Sequence, residues 1–347
     1  MLGLDADACF EGGYMRRRNL IAALVGAALT RPIGINAQRS QRSVPLVGVI
    51  WIGNASAQIS VRVRETFLRG LRENGYTDGQ NVTIEDRYSG NYPDQLNSVV
   101  DELVRVGADV IVAMGTPAAL AASRATNTIP IVVGAMADPV ADGLVASLAR
   151  PDRNVTGNTF IGPELGPKRL QLLKEVFPEA TQFGVLQHPH IYSESTSQQM
   201  QSEIQRTARE LRVDFQVFNA SRPEDFDGAF EAMVERRTEA LLLFPSPMFY
   251  VYSRRIVDHA ERQRLPTMYY FREAVEGGGF MSYGADLPNL ALRVAQYVVK
   301  ILKGTKPGDL PVEQPTKFEF LINLKTAKAL DVTIPATLLA QADDVIE

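Results

Sequence analysis

An internal repeat constrains this chain more than any other feature. Asp109-Val110-Ile111-Val112-Ala113-Met114-Gly115-Thr116-Pro117 aligns without a gap to Glu239-Ala240-Leu241-Leu242-Leu243-Phe244-Pro245-Ser246-Pro247, at a constant offset of 130 residues. Val47-Gly48-Val49-Ile50 has its counterpart in Phe183-Gly184-Val185-Leu186, and Thr128-Ile129-Pro130-Ile131-Val132-Val133 in Arg264-Leu265-Pro266-Thr267-Met268-Tyr269. The repeated pieces are short apolar runs, continuous enough to be strands covered on both faces. Between them lie amphipathic stretches. Ile59, Val63, Phe67 and Leu71 fall on one helical face, and Asn74-Gly75 closes that helix. Leu46 to Ile52 and Val82 to Tyr88 read as further strands. Strands alternating with helices predict parallel α/β sheets. A chain of 347 residues has room for two such domains at roughly 100–200 residues each.

Open parallel sheets bind ligands beyond the carboxyl ends of their strands, so two of them side by side predict a cleft. The repeated devices sit at these ends. Thr116 and Ser246 each follow a buried strand and precede a proline, which predicts N-caps with Pro117 and Pro247 at the first helical position. A helix start offers free N–H groups to an anionic ligand, and a cap can serve structure alone. Two polar loops after the first strands, Asn54-Ala55-Ser56 and His188-Pro189-His190-Ile191-Tyr192-Ser193, add candidates. Asp138 could pair with an ammonium group or cap a helix expected over Val140 to Ala149. Aromatic residues gather at the same ends: Trp51, Phe160, Tyr192, Phe249, Tyr250, Tyr269, Tyr270 and Tyr283. Most are expected in the core, with two or three on a pocket wall.

Other functions are disfavoured. A net charge of −4 argues against nucleic acid as a partner. No phosphate loop, G-x-G-x-x-G, G-x-S-x-G or C-x-x-C occurs, and the single cysteine, Cys9, allows neither a disulfide nor a thiolate metal site. His188 and His190 form an H-x-H pair that Glu194 or Asp138 could extend into a metal enzyme, but no third ligand is evident. His259 is expected on a solvated helix surface. No cofactor is implied. Near the start, Arg16-Arg17-Arg18 precede an apolar run from Leu20 to Leu29 and then Ile35-Asn36-Ala37, the layout of a secretory signal with Met15 as its start and cleavage after Ala37. The run is too short to span a bilayer. Export by the Sec or twin-arginine route, to the periplasm, is the expectation.

Several stretches carry a family resemblance: Gly279-Phe280-Met281-Ser282-Tyr283-Gly284-Ala285-Asp286, Ile301-Leu302-Lys303-Gly304, Asp309 to Glu319 and Ile322 to Ala327, with Ala135 to Val140 and Asn154-Val155-Thr156-Gly157. In these the chain resembles the ABC-transporter substrate-binding family that includes tryptophan- and tyrosine-binding lipoproteins. The resemblance implies a type I periplasmic-binding architecture: two Rossmann-like three-layer α/β domains, 44–158 plus 284–314 and 159–283 plus 315–347, joined by three crossovers. It implies ligand contacts at Asn54, Ala55, Ser56, Thr116, Asp138, His188, Tyr192, Ser193, Ser246, Ser282 and Tyr283, with Pro117 beside them. His188-Pro189 and Ser246 depart from the polar and acidic residues of many relatives, which puts an amino-acid ligand in question. The implied function is hinge-closing capture of a small solute for an ABC permease, for which a monomer suffices. Periplasmic sensing for a receptor or kinase is the alternative.

Overall fold

The structure is a computed structural model that describes residues 44–53, 55–90 and 95–347. The expected signal segment, Cys9 and Asn54 lie outside the described residues. The chain from Val44 to Glu347 forms one compact unit holding two sheets. The first run is β1 (Leu46–Trp51), α1 (Gln58–Glu73), β2 (Thr83–Tyr88), α2 (Gln95–Arg105), β3 (Val110–Ala113), α3 (Thr116–Ala125), β4 (Ile131–Met136) and β5 (Val155–Thr159). The second is α4 (Gly162–Val176), β6 (Gln182–Gln187), α5 (Glu194–Leu211), β7 (Asp214–Asn219), α6 (Asp225–Glu235), β8 (Ala240–Leu243), α7 (Pro247–Val251), α8 (Ser253–Arg262), β9 (Thr267–Tyr269), α9 (Arg272–Glu276) and β10 (Met281–Ala285). Then follow α10 (Leu287–Leu302), β11 (Phe318–Asn323), α11 (Leu324–Ala329), α12 (Ala336–Gln341) and β12 (Asp344–Ile346).

One sheet runs β2-β1-β3-β4-β5, all parallel. The other contains the same order, β7-β6-β8-β9-β10, extended by antiparallel β11 and then β12. The repeat read from sequence is therefore a structural one, and its hydrogen bonds coincide. Asp109 N–H donates to Leu46 O at 2.8 Å while the Asp109 carboxylate accepts from Leu46 N–H at 2.8 Å. Glu239 does the same for Gln182, again at 2.8 Å in both directions. A carboxylate thus staples the start of the first strand in each domain, where the leading N–H would otherwise lack a partner.

Alternate residues divide each sheet between two core layers, as the period of a strand requires. Val47, Val49, Val110 and Val112 pack under α1 and α10; Ile50, Ile111 and Ala113 face α2 and α3. In the second sheet Phe183, Val185 and Leu242 meet α4 and α5, and Leu186, Leu241 and Leu243 meet α6, α7 and α8. Each such side chain removed from water contributes about 1.5–3 kcal/mol. The helices are exchanged: α10 follows a strand of the second sheet yet packs on α1, and α4 follows β5 of the first sheet yet packs on α5.

Three expectations are corrected. Val140 to Ala149 is a set of turns, because Asp138 Oδ1 gathers the N–H groups of Val140 and Ala141, and Gly143 at φ 70° reverses the chain. Thr116 is the first helical residue and not the N-cap; Gly115 holds that place. His259 is buried, 6% exposed, with its ring stacked 4.9 Å from Phe230 and its nitrogens facing Arg262 and Asp227.

Candidate functional site

The carboxyl ends of both sheets wall a cleft with about 860 Å³ of atom-free space, partly open to solvent. From the first sheet's side come Trp51, Met114, Gly115, Thr116, Gly134 and Ala135, with Leu287, Leu290 and Ala291 of α10. The opposite wall supplies Tyr192, Ser246, Pro247, Tyr250, Val251 and Tyr270, and Phe160 stands at a crossover. None of the wall residues found among the described residues carries a charge.

Protein partners already hold the polar tips of the aromatic rings. Trp51 Nε1–H donates to Asp86 at 2.6 Å. The Tyr192 hydroxyl donates to Pro245 O at 2.8 Å, and that of Tyr250 to Glu273 Oε1 at 2.9 Å. The Tyr270 hydroxyl donates to Ser246 O at 2.6 Å and accepts from Ser246 N–H at 3.2 Å. The rings therefore present faces and edges to the cleft, which suits a flat apolar occupant.

Ser246 is the N-cap of α7, its Oγ accepting from Met248 N–H at 3.2 Å. The same oxygen lies 3.0 Å from His188 Nδ1. Burial drags the His188 pKa down to about 4, so the ring is neutral near pH 7. On the first sheet's side the Thr116 hydroxyl accepts from Ala137 N–H at 3.0 Å, fixing the loop after β4. Behind the second wall, Arg169 of α4 is 1% exposed. Its Nε–H donates to Tyr283 O at 2.7 Å and its guanidinium lies 5.9 Å from the Tyr270 ring centroid.

Among the described residues, two links cross the cleft. Asp142, in the turns after β4, accepts from Ser193 N–H at 3.2 Å and from the Thr196 hydroxyl at 2.7 Å, at the N-terminus of α5 where a carboxylate is favoured. Arg62 of α1 pairs with Glu276 of α9 at 3.2 Å. The walls approach so closely that a Cβ added to Gly53 would meet Val251 at 2.9 Å.

Thr116, Tyr192 and Ser246 come together on the wall. The other sequence candidates stand elsewhere. Ala55 and Ser56 are exposed, and Pro117 is half-buried in the first turn of α3. The Asp138 carboxylate turns to its own loop. His188 backs Ser246, and Ser193 caps α5. Ser282 is buried within β10, and Tyr283 packs against Phe318 and Phe320. His190 is exposed, and no group of three or more His, Cys, Asp or Glu able to hold a metal occurs among the described residues. Five of the aromatics line the wall where two or three were expected. Arg169 was passed over, although it shares a helical face with Leu165, Leu172, Leu173 and Val176, the placement of a buried residue.

Comparison with known proteins accords with this geometry. The profile of the family described as ABC transporter substrate binding protein matches residues 52–346. A tyrosine-binding protein of Clostridioides difficile (strain R20291) is 29% identical over 273 residues, covering 78% of this chain and 77% of its own. A Streptococcus pneumoniae ABC domain solved with L-Trp is 26% identical, with a TM-score of 0.79 over 88% of this chain and all of its own. A conserved domain protein of Vibrio cholerae gives 27% and 0.79 over the same shares. A periplasmic-binding ribose operon repressor of Lactobacillus acidophilus, 11% identical with a TM-score of 0.55 over 79% of this chain and 96% of its own, shares the fold. The fold is that of type I periplasmic-binding proteins.

Proposed function

The chain belongs to the ABC transporter substrate binding protein family, and we propose that it is the exported solute-capturing subunit of an importer, closing its two domains on a small aromatic or amino-acid-like molecule. The observation that carries this is the aromatic cleft walled by both sheets and spanned by Asp142 and the α5 N-terminus. In this reading the domains are 44–158 plus 284–314 and 159–283 plus 315–347, and the crossovers between them are the hinge. Solute docks against one wall and the second wall completes the enclosure. Thr116, Tyr192 and Ser246 touch the solute. Asp142 then caps α5 only in the closed form, so closure and occupancy are coupled. The closed face meets a permease, the first 37 residues direct export to the periplasm, and the solute leaves chemically unchanged.

Melting temperature against a panel of amino acids, aromatic acids, nucleobases and sugars tests capture. A solute at 100 times its Kd adds about 2.7 kcal/mol to stability. The radius of gyration from solution scattering should fall on adding the solute that raises the midpoint. Asp142→Ala should weaken that solute at least tenfold, through loss of a closed-state contact, and leave the unliganded radius unchanged. Uptake by vesicles carrying the permease separates import from sensing. A well-folded protein that no solute stabilises would remove the proposal.

A further inference from the structure

Arg169 has no counter-ion among the described residues. It enters none of the ion pairs found among the described residues, and its electrostatic neighbours are Tyr270, Tyr283 and Tyr192 rather than a carboxylate. Burial lowers its pKa to about 10, which still leaves it protonated at neutral pH. A fully buried cation without an anion is costly, and proteins rarely retain one without a use for it. Two of those tyrosines, Tyr192 and Tyr270, form the cleft wall in front of it.

The carboxylates that could offset this charge are placed otherwise. Asp138 turns to the N–H groups of Val140 and Ala141, and Asp142 to α5. Glu273, behind Tyr250, is 9% exposed with Oε2 unpartnered, and burial raises its pKa toward the neutral form. With no charged group on the wall among the described residues, the cleft holds a positive charge without an ion pair behind an aromatic lining.

Building on the proposed capture role, we infer that the cleft selects aromatic monocarboxylates that lack an ammonium group, with Arg169 as the buried counter-charge. The ring lies among the wall aromatics, and the carboxylate lies toward Tyr192 and Tyr270, supplying the anion that the protein withholds. An ammonium group would find neither a carboxylate nor relief from the guanidinium.

A matched series tests this on the full chain, unfolded and refolded to strip any carried solute. The four probes are 3-(4-hydroxyphenyl)propanoate, L-tyrosine, tyramine and the neutral 4-ethylphenol, titrated by calorimetry. The propanoate should bind at least tenfold tighter than L-tyrosine, and tyramine should give no binding heat. In Arg169→Met the propanoate should lose at least tenfold while 4-ethylphenol stays within twofold, and Arg169→Lys should keep the preference for the acid. Should Arg169→Met fail to fold, the order of the four probes on the unmodified chain decides. L-Tyrosine binding as tightly as the propanoate, or tyramine binding better, overturns the inference and leaves solute capture standing. Silence from all four probes also overturns it; if the wider panel is silent too, the capture role falls with it.

Discussion

The two domains repeat one backbone and differ at two equivalent places. After β3 and after β8 the chain leaves the sheet by the same hydrogen bond, Met114 N–H to Ile50 O at 3.1 Å and Phe244 N–H to Leu186 O at 3.0 Å. The first corner is less tied: Gly115 takes φ 121°, a Cβ there would sit 3.3 Å from Pro247 across the cleft, and the Thr116 hydroxyl holds Ala137 N–H. At the second, Ser246 is tied to Met248, His188 and Tyr270 at once. The exchanged helices differ likewise. The eighth residue of α10 is Val294, and the eighth of α4 is Arg169, both buried. One domain offers close backbone and aliphatic surface; the other offers a braced hydroxyl and a buried charge. Duplication supplied a symmetric frame, and side chains at matched positions made the cleft one-sided.

That asymmetry can be broken at its braced corner first. His188 has a folded pKa of about 4 against an ordinary value of about 6.5, so the unfolded chain binds its proton first as pH falls. Its contribution is complete above about pH 6.5 and is lost as pH falls toward 4. The loss should amount to about 3 kcal/mol in urea titrations. His188→Gln should flatten most of this slope; His259, whose pKa burial also lowers, supplies a residual of the same sign. Ser246→Ala removes a cap and leaves His188 Nδ1 without its partner, an expected loss of about 2–3 kcal/mol read from the same titrations.

Arg169→Met tests the helix pair. Making α4 aliphatic like α10 should raise the stability of the empty protein by about 1–2 kcal/mol while charge-dependent binding is lost, the usual opposition of stability and function at a buried charge. Thr116→Val at the less tied corner leaves one buried N–H, that of Ala137, without its acceptor and should cost about 1 kcal/mol. Arg62→Gln should move the melting midpoint least, by less than about 1 kcal/mol, since its pair with Glu276 is exposed. A Thr116→Val loss larger than that of Ser246→Ala would reverse the reading of which corner is braced.

The frame was legible in the sequence because strands buried on both faces leave contiguous apolar runs, and a gapless repeat fixes their order. The cleft was legible by position and less so by contact. Thr116 and Ser246 were found through their prolines, yet the roles of their hydroxyls depend on Ala137 and His188, partners distant in sequence. Asp138 attracts attention as a lone acid at a strand end, but its two backbone bonds, to the residues two and three ahead, are the local capping alternative, here without the helix. Asp142 acts across the cleft, and Arg169 reaches Tyr283, 114 residues further along the chain; both contacts form only when distant segments have folded together. The expected helix over Val140 to Ala149 failed for a local reason, Gly143 at positive φ, that its apolar spacing concealed.

The exchange of α4 and α10 also imposes an order on synthesis. The faces of β1, β3 and β4 that bear Val47, Val49, Val112 and Val132 are covered by a helix beginning at Leu287. A ribosome adding roughly 5–20 residues per second needs on the order of ten seconds to pass from the end of β4 to that helix. Throughout that interval this side of the β-layer has only α1 to cover it on the nascent chain. The first domain is therefore begun early and closed late, and its half-covered layer is the surface that a chaperone would meet first.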